Sequence, residues 1–333
     1  MSKVCVIGDG GWGTALAMLL LENGNDVTIW GPFADYIDEM RETRKNPRYL
    51  AGVTLPDALK LEADMAKAVA EAEVVVLAIP SHFYDKICVQ LADKLPKGCD
   101  VVSVSKGFCE KTRKRLTRTA SKLLGIEDVV ALSGPSHAEE VSRGIPTAVV
   151  AASNDVERVL RIQKLFSNKR FRVYTSTDTI GVELGGAIKN VLALAVGMSD
   201  GLGFGDNSRA ALITRGLAEM ARLGCVLGGN PNTFAGLSGI GDLVVTCTSR
   251  HSRNRGVGER LGKGEKLESI CNGMQQVAEG VWNCGIVCDL ADAYGVDMPI
   301  CFAVKSVLDG TSTPLEAVGL LMDRDSKHEH YGK

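Results

Sequence analysis

Short β-branched runs alternate with helical patterns along the first half of this 333-residue chain. The runs predict strands at 4–7, 26–30, 74–79, 101–105, 129–132, 148–151 and 172–174. The helical patterns between several of them lie at 14–22, 36–44, 84–94, 111–124 and 156–166. Strands that alternate with helices of this length form βαβ units, so we expect an α/β fold with a parallel-rich sheet and helices on both faces.

The pattern changes near Thr177, where the β-branched runs largely stop. Helical patterns then continue at 180–198, 208–223, 275–294, 299–308 and, more briefly, 315–321. A chain of this length exceeds what one hydrophobic core usually organises. We therefore expect two domains, an α/β domain over residues 1–177 and an all-α domain over residues 178–333.

The charge balance argues against large polyanionic partners. The chain has 38 Lys and Arg against 40 Asp and Glu, so no basic excess points to nucleic acid or to an anionic membrane surface. Lys189 interrupts the most apolar stretch before it reaches the ~18 residues of a membrane span. The first residues, MSKVCVIG, lack a signal-peptide pattern, and we expect a cytoplasmic protein.

Ten cysteines are scattered along the chain without a CxxC pair. The closest two, Cys284 and Cys288, have no histidine nearby. A disulfide framework or a zinc site needs tighter organisation, so we expect no metal. We predict that the cysteines are small buried side chains in a reducing cytosol.

The first predicted strand runs into the sequence GDGGWGTALA. Gly8, Gly10 and Gly13 form G-x-G-x-x-G between a strand and a helix, with Gly11 and Trp12 inside the motif. Such glycines let the backbone turn sharply and approach a pyrophosphate at the positive end of the helix. Ordinary glycine-rich turns can show the same spacing, but the strand–helix context predicts a Rossmann domain that binds a dinucleotide cofactor.

The end of the second predicted strand does not decide between NAD and NADP. An acidic residue often lies there and binds the ribose hydroxyls, but this chain has WGPF at 30–33. No arginine is adjacent for a 2′-phosphate, because Arg41 and Arg44 lie a helix away. We therefore expect NAD or NADP as the cofactor.

Two further strand ends carry candidate ligand-binding groups. Lys106 follows an apolar strand in VVSVSKG, and ligands of open α/β sheets bind outside the carboxyl ends of strands. Ser136 and Glu139 have the S-x-x-E spacing of a capping box in SGPSHAEEV. The backbone N–H groups that such a box organises could also face a cofactor or a substrate.

A run of arginines follows in TSRHSRNRGVGERLGKG. Arg250, Arg253, Arg255 and Arg260 are close in sequence, which usually indicates a solvated face or a nucleic-acid patch. Because net charge is near zero and no nucleic-acid motif is present, we favour a local site for a small phosphate. The planar guanidinium suits a phosphate, and Asn254 could complete its surroundings.

Lys189 lies in GGAIKNVLALAVG, which reads as a buried helix. Its helical neighbours are Gly185, Gly186, Leu192 and Ala193, none of them acidic. Either the ammonium extends to water at the helix flank, or it faces a cleft where burial and Lys106 lower its pKa toward neutrality. In the second case Lys189 is a general base, and the two glycines leave room for a ligand.

Taken together, the motifs resemble those of bacterial-type NAD(P)-dependent glycerol-3-phosphate dehydrogenases. The matching stretches occur in the family's order from residue 4 to about 310: GDGGWGTALA, SKG, SGPSHAEEV, GAIKNVLALAVG, TRGLAEMARLG and GLSGIGDLVVTCTSRHSRNRGVGERLGKG. The resemblance implies a Rossmann domain followed by an all-helical domain, assembled as a homodimer. It also implies interconversion of sn-glycerol 3-phosphate and dihydroxyacetone phosphate with NAD or NADP, which supplies phospholipid synthesis.

The resemblance also assigns site residues. It implies that Lys189 is the catalytic base, that Lys106 contacts both substrate and nicotinamide, and that Asp242 belongs to the catalytic shell. The implied substrate-binding positions are Lys106, Gly134, Ser136, Asn190, Asp242, Thr246, Ser252, Arg253 and Asn254. The implied cofactor-binding positions are Gly8, Gly10, Gly11, Trp12, Gly13, Lys106, Ala138, Arg253, Val277 and Glu279.

Other functions remain open. A two-domain dehydrogenase of β-hydroxyacids or 6-phosphogluconate would act on a carboxylate substrate, and the arginine run does not exclude it. A non-catalytic protein could use the same Rossmann domain to sense NAD(H). Nucleic-acid binding through residues 250–260 is a weaker alternative, and it would be sensitive to salt.

Overall fold

The structure is a computed structural model that describes residues 1–274, 278–326 and 328–329. Its strands are β1 Lys3–Ile7, β2 Asp26–Trp30, β3 Lys45–Asn46, β4 Leu50–Thr54, β5 Lys60–Glu62, β6 Val74–Leu77, β7 Asp100–Ser103, β8 Val130–Ser133, β9 Thr147–Ala152 and β10 Phe171–Ser176. Its helices up to residue 201 are α1 Gly11–Glu22, α2 Ala34–Thr43, α3 Met65–Val69, α4 Tyr84–Ala92, α5 Leu116–Leu124, α6 Ala138–Val141, α7 Val156–Phe166 and α8 Thr179–Gly201. The later helices are α9 Asp206–Val226, α10 Pro231–Phe234, α11 Asp242–Thr248, α12 Arg253–Gly262, α13 Leu267–Asn272, α14 Glu279–Ala293, α15 Pro299–Leu308 and α16 Pro314–Met322. A 3₁₀ turn, Ser81–Phe83, and a π-helical turn, Leu237–Gly241, complete the set.

Eight strands form one twisted sheet in the order β10-β9-β8-β7-β6-β1-β2-β5. Every neighbouring pair is parallel except β8 and β9, which run antiparallel, so the expected parallel-rich sheet is confirmed. The central strand β6 reads VVVL and is buried throughout, as expected for a strand covered by helices on both faces. Because β1 lies between β2 and β6, the strand order reverses at β1, and ligands of such sheets bind outside the carboxyl end of the strand at this point.

All seven predicted strands are present, but β3, β4 and β5 were not predicted. They are short and carry polar residues such as Lys45 and Lys60, so no β-branched run marks them. The helix predicted over 111–124 begins only at Leu116, because Arg113 has the left-handed φ of 54°. The start of the helix predicted over 275–294 lies outside the described residues at 275–277, and α14 begins at Glu279.

The helical half is built around α8, of which most residues are buried. Glycines let α8 and α12 approach closely. A Cβ on Gly197 would lie 2.1 Å from the Arg255 carbonyl oxygen, and a Cβ on Gly258 would lie 2.2 Å from that of Leu194. This contact places the start of α12 beside the middle of α8.

The same helix is long and apolar enough to cross a membrane by length and composition alone. Its mean hydropathy is 1.4, but 94 % of that window is buried inside the protein, which is typical of a core helix. The expectation that Lys189 keeps this stretch below the length and hydropathy of a membrane span is therefore wrong. The helix is apolar because it is buried in the protein.

The division at residue 177 into two domains stays a prediction, with β10 ending at Ser176 and α8 beginning at Thr179. All ten cysteines are free. Seven are buried as predicted, but the prediction is wrong for Cys225 and Cys271, which are exposed.

Candidate active site

A carboxylate joins two lysines at the boundary between the sheet and the helical half. Lys189 Nζ donates to Asp242 Oδ1 at 2.5 Å, and Lys106 Nζ donates to Asp242 Oδ2 at 2.7 Å. Lys189 Nζ also donates to Thr246 Oγ1 at 2.8 Å. Three charged groups from three separate segments therefore meet in one buried cluster.

The interpretation of Lys189 as a lysine that extends to water is wrong. It is 5 % exposed, and its partner comes from α11, 53 residues later. Burial lowers the pKa of Lys189 to about 7; Asp242 opposes this decrease and the charge of Lys106 adds to it. Burial alone would raise the pKa of Asp242, but the two lysines outweigh it and the net pKa is lowered. Near pH 7 the lysine can therefore take up or release a proton beside a stable carboxylate.

A π-helical turn brings Asp242 to this position. The turn ends at Gly241, directly before Asp242, and packs against α8 at Gly185, where a Cβ would lie 2.3 Å from the Ser238 carbonyl oxygen. At Gly186 a Cβ would lie 2.8 Å from Ser133 Oγ. The expectation that these two glycines leave room for a ligand is therefore wrong, because protein atoms fill that space.

Lys106 lies in the loop that follows β7, and a residue after β8 holds its ammonium. Its Nζ donates to the Gly134 carbonyl oxygen at 2.9 Å. Gly107, with φ of 139°, lies against Asn283, whose Oδ1 accepts from the Phe108 N–H at 2.9 Å. Asn283 thereby ties the lysine loop to α14, and no sequence motif marked it.

The predicted capping box of Ser136 and Glu139 is wrong. Ser136 Oγ donates to the Gly134 carbonyl oxygen at 2.9 Å, and His137 occupies the N-cap of α6 without a side-chain cap. Burial lowers the pKa of His137, and Lys189 and Lys106 lower it further. Lys106 and Ser136 thus meet at the Gly134 carbonyl oxygen, and the substrate-binding role that the resemblance implies for them stays a prediction.

Two asparagines connect α8 to the starts of α12 and α14. Asn254 Nδ2 donates to Asn190 Oδ1 at 2.9 Å, and Asn254 Oδ1 accepts from the Gly280 N–H at 2.8 Å. Ser252 caps α12, since its Oγ accepts from the Arg255 N–H at 3.2 Å. Each asparagine amide and the Ser252 hydroxyl still carries a proton that can be donated to a ligand.

Two members of the arginine run are paired away from this site. Arg255 pairs with Asp200 at 2.7 Å and Arg260 with Glu265 at 2.5 Å, so the expectation of a shared phosphate site is wrong for these two. Arg253 is exposed to water, yet the surrounding protein desolvates it and lowers its pKa, against the charges of Glu279 and Glu139. Arg253 therefore keeps a side chain that water or a ligand can reach.

The glycine motif fits a dinucleotide. Gly8 has φ of 124°, and a Cβ there would lie 2.3 Å from the Ala78 carbonyl oxygen, so only glycine suits this turn. At Gly10, the N-cap of α1, a Cβ would meet no protein atom within 4 Å, and no side chain caps the helix. Trp12 Nε1 is buried with no hydrogen-bond partner in the described parts of the chain. An open, uncapped helix N-terminus of this kind is suited to a pyrophosphate.

The other predicted cofactor residues fall near this crevice or outside the described chain. A Cβ on Gly13 would lie 2.2 Å from the Gly8 carbonyl oxygen, and one on Gly11 would lie 3.7 Å from the Ala138 Cβ. Glu279 accepts from the Ser81 N–H at 3.0 Å and from its hydroxyl, just after β6. Val277 lies outside the described residues.

The structure adds residues that the sequence patterns missed. Ser133 ends β8, and its Oγ is buried without a hydrogen-bond partner among the residues described, next to Lys106 and Gly186. Arg48, which the sequence patterns did not indicate, acts electrostatically on Asp9 in the glycine motif. The signal for Ser133 was available, because it ends an apolar strand as Lys106 follows one.

A metal centre is not built here. Across residues 1–274, 278–326 and 328–329, no group of three His, Cys, Asp or Glu side chains is placed to hold a metal ion.

Known proteins share both halves of this chain. The family described as NAD-dependent glycerol-3-phosphate dehydrogenase matches with its N-terminal part at residues 3–159 and its C-terminal part at 178–319. A glycerol-3-phosphate dehydrogenase (NAD(P)+) from Geobacillus kaustophilus is 49 % identical over 99 % of this chain and 96 % of its own. The solved glycerol-3-phosphate dehydrogenase from Coxiella burnetii superposes with a TM-score of 0.93 at 38 % identity, covering 97 % of this chain and 99 % of its own. That from Saccharomyces cerevisiae gives 0.81 at 29 % identity, over 97 % and 99 %.

Proposed function

The chain belongs to the NAD-dependent glycerol-3-phosphate dehydrogenase family, and we propose that the cluster of Lys106, Asp242 and Lys189 is its catalytic centre. The protein is an oxidoreductase that interconverts sn-glycerol 3-phosphate and dihydroxyacetone phosphate with NAD or NADP. The observation that carries the proposal is the buried Lys189 whose pKa lies at about 7 beside an ionised Asp242.

Lys189 acts as the general base and acid. Its neutral amine takes the proton from the C2 hydroxyl of glycerol 3-phosphate, and its ammonium returns a proton to that oxygen in the reverse direction. Bound NAD or NADP supplies the hydride acceptor or donor. Asp242 holds the amine in place through Oδ1 and orients Lys106 through Oδ2. Lys106 then places a positive charge where the oxygen at C2 becomes negative.

Arg253 binds the substrate phosphate, with Asn254, Asn190 and Ser252 around it. Its guanidinium is exposed in the cleft and desolvated by its surroundings, which strengthens a contact with an anion. The glycine motif, Trp12, Ala138 and Glu279 hold the cofactor, and the carboxylate of Glu279 is fixed by Ser81. Gly134, Ser136 and Thr246 complete the walls near the lysines.

The proposed roles are tested by turnover with substrates that differ only in the phosphate. The purified protein is mixed with NADH or NADPH and either dihydroxyacetone phosphate or dihydroxyacetone, and loss of the reduced cofactor is followed. We expect rapid oxidation only with the phosphorylated ketone, no turnover in Lys189→Met, and a weaker phosphate dependence in Arg253→Ala. Cofactor binding without turnover by the wild type would instead favour the non-catalytic sensor.

The assembly and the cellular role are further proposals. The family resemblance supports a homodimer in the cytoplasm whose product supplies phospholipid synthesis. Sedimentation of the purified protein tests the first point, and a species of twice the 35.4 kDa chain mass is expected.

A further inference from the structure

Asp9 places a carboxylate at the end of β2, where the strand itself provides none. Gly31 follows β2, and a Cβ at that position would lie 2.8 Å from both Cγ and Oδ2 of Asp9. An acidic side chain at the end of this strand is the usual ligand of the adenosine ribose in Rossmann domains. Here a side chain from the glycine motif lies beside the residue that follows the strand.

One oxygen of the Asp9 carboxylate lacks a hydrogen-bond donor among the described residues. The residue is 7 % exposed, and Oδ2 forms no hydrogen bond within the described parts of the chain. Burial raises the pKa of Asp9, and the charge of Arg48 only partly opposes this. Buried polar atoms in native proteins nearly always have a partner, so this carboxylate has acceptor capacity that the described residues leave unused.

The backbone around Asp9 fixes the direction of this side chain. Its carbonyl oxygen accepts from Asn46 Nδ2 at 2.8 Å and from Thr14 Oγ1 at 3.3 Å. Asn46 is itself buried, and its Oδ1 accepts from Tyr36 Oη at 2.6 Å. The backbone from which the carboxylate extends is therefore held by Asn46, in the segment that follows α2, and by Thr14.

We propose that Asp9 accepts a hydrogen bond from a hydroxyl of the adenosine ribose and makes the enzyme selective for NAD(H). The inference rests on the proposed function, since it assumes that the crevice holds a nicotinamide dinucleotide. A 2′-phosphate at the same place would remove the donor and bring a dianion next to a buried carboxylate, so NADP(H) binds more weakly.

Arg48 is the group on the same surface that opposes this selectivity. Its guanidinium stacks on Tyr36 at 4.1 Å and lies 3.9 Å from Glu39. Both contacts are with residues of α2, so Arg48 already has partners there and is not reserved for a 2′-phosphate. An enzyme selective for NADP(H) through Arg48 is the outcome that the experiment separates from ours.

The test is direct binding of NADH and NADPH to the full-length protein, measured by calorimetry without substrate. We expect the wild type to bind NADH at least tenfold more tightly than NADPH, a difference of about 1.4 kcal/mol. Asp9→Asn keeps the shape but removes the charge, and we expect the preference for NADH to fall at least tenfold. The control Asp35→Asn removes a charge from the exposed first turn of α2 and leaves the preference unchanged.

Each outcome decides between the two proposals. An unchanged preference in Asp9→Asn, or a wild-type preference for NADPH that Arg48→Ala abolishes, overturns the role of Asp9 and leaves the proposed function intact. Failure of the wild type to bind either nucleotide refutes both. If Asp9→Asn does not fold, Asp9→Ser repeats the comparison with a smaller neutral side chain.

Discussion

Replacing Asp242 by asparagine should change the pH dependence of catalysis. Asp242 is the carboxylate that offsets the burial of Lys189, whose pKa is about 7. A charge pair near 4 Å at an effective dielectric constant of about 20 is worth about 4 kcal/mol. Because the asparagine oxygen still accepts a hydrogen bond, we take about 2.7 kcal/mol as lost, which lowers the pKa of Lys189 by about two pH units.

The consequence differs between the two directions of reaction. In the proposed mechanism, reduction of the ketone needs the ammonium form of Lys189, which is about half populated at pH 7 in the wild type and about 1 % populated in Asp242→Asn. We therefore expect ketone reduction at pH 7 to fall about fiftyfold and to recover toward pH 5. Oxidation of glycerol 3-phosphate needs the neutral amine, so its acidic limb should move to lower pH.

Initial rates at saturating substrate, measured from pH 5 to pH 9 in both directions, check this prediction. Asp206→Asn is the control, because it removes a carboxylate that is fully on the surface and paired with Arg209. Thr246→Val removes only the hydroxyl that accepts from Lys189 and should move the limb in the same direction by less. A pH profile in Asp242→Asn that stays in place, or moves to higher pH, would refute the assignment of Lys189 as the titrating base.

Three further perturbations test other parts of the structure. Arg253→Ala should raise KM for the phosphorylated substrate and lower kcat, each by about 10-fold, because the proposed phosphate contact orients C2. Steady-state kinetics check this, and an unchanged kcat contradicts the orienting role. Gly258→Ala should lower the free energy of unfolding in urea by about 1–3 kcal/mol, since its Cβ would lie 2.2 Å from the Leu194 carbonyl oxygen. The control Gly256→Ala lies on the same helix, where a Cβ meets no atom within 4 Å, and it should be neutral or stabilising. Glu219 is 1 % exposed, and burial raises its pKa to about 7. Its contribution to the free energy of unfolding is therefore complete below its unfolded pKa of about 4.5. About 3 kcal/mol of it is lost as pH rises from about 4.5 to 7. Glu219→Gln should flatten the free energy of unfolding over that range, and an equally steep decline in the variant contradicts it.

Local patterns predicted the sheet because buried parallel strands have a continuous apolar sequence. The runs at β1 and β6 are buried on both faces, so they differ clearly from their surroundings. β3 and β5 are two and three residues long and polar, and tertiary contacts rather than propensity make them strands. The same limit explains the short helices α3 and α6.

The site was predictable only where a residue's role follows from its neighbours in sequence or from the family motifs. The contact of Lys189 with Asp242 spans 53 residues, so no helical spacing could reveal it. Arg255 and Arg260 have the same residue type and context as Arg253, yet their partners, Asp200 and Glu265, remove them from the site. Charge in a sequence says what a side chain can pair with, but only the fold says which partner is within reach.

Close helix packing is the physical origin of the proposed base. Gly185 lets the π-helical turn approach α8, and Gly280, whose Cβ would lie 2.4 Å from the Asn190 carbonyl oxygen, lets α14 approach it. This packing excludes water from Lys189, and the loss of hydration lowers its pKa. A buried Lys189 without a counter-charge would be strongly destabilising, so the turn that buries Lys189 must also deliver Asp242. Burial and neutralisation are therefore one structural event, and a substitution that loosens the packing at Gly185 changes both: added hydration raises the pKa of Lys189, while a weaker contact with Asp242 lowers it.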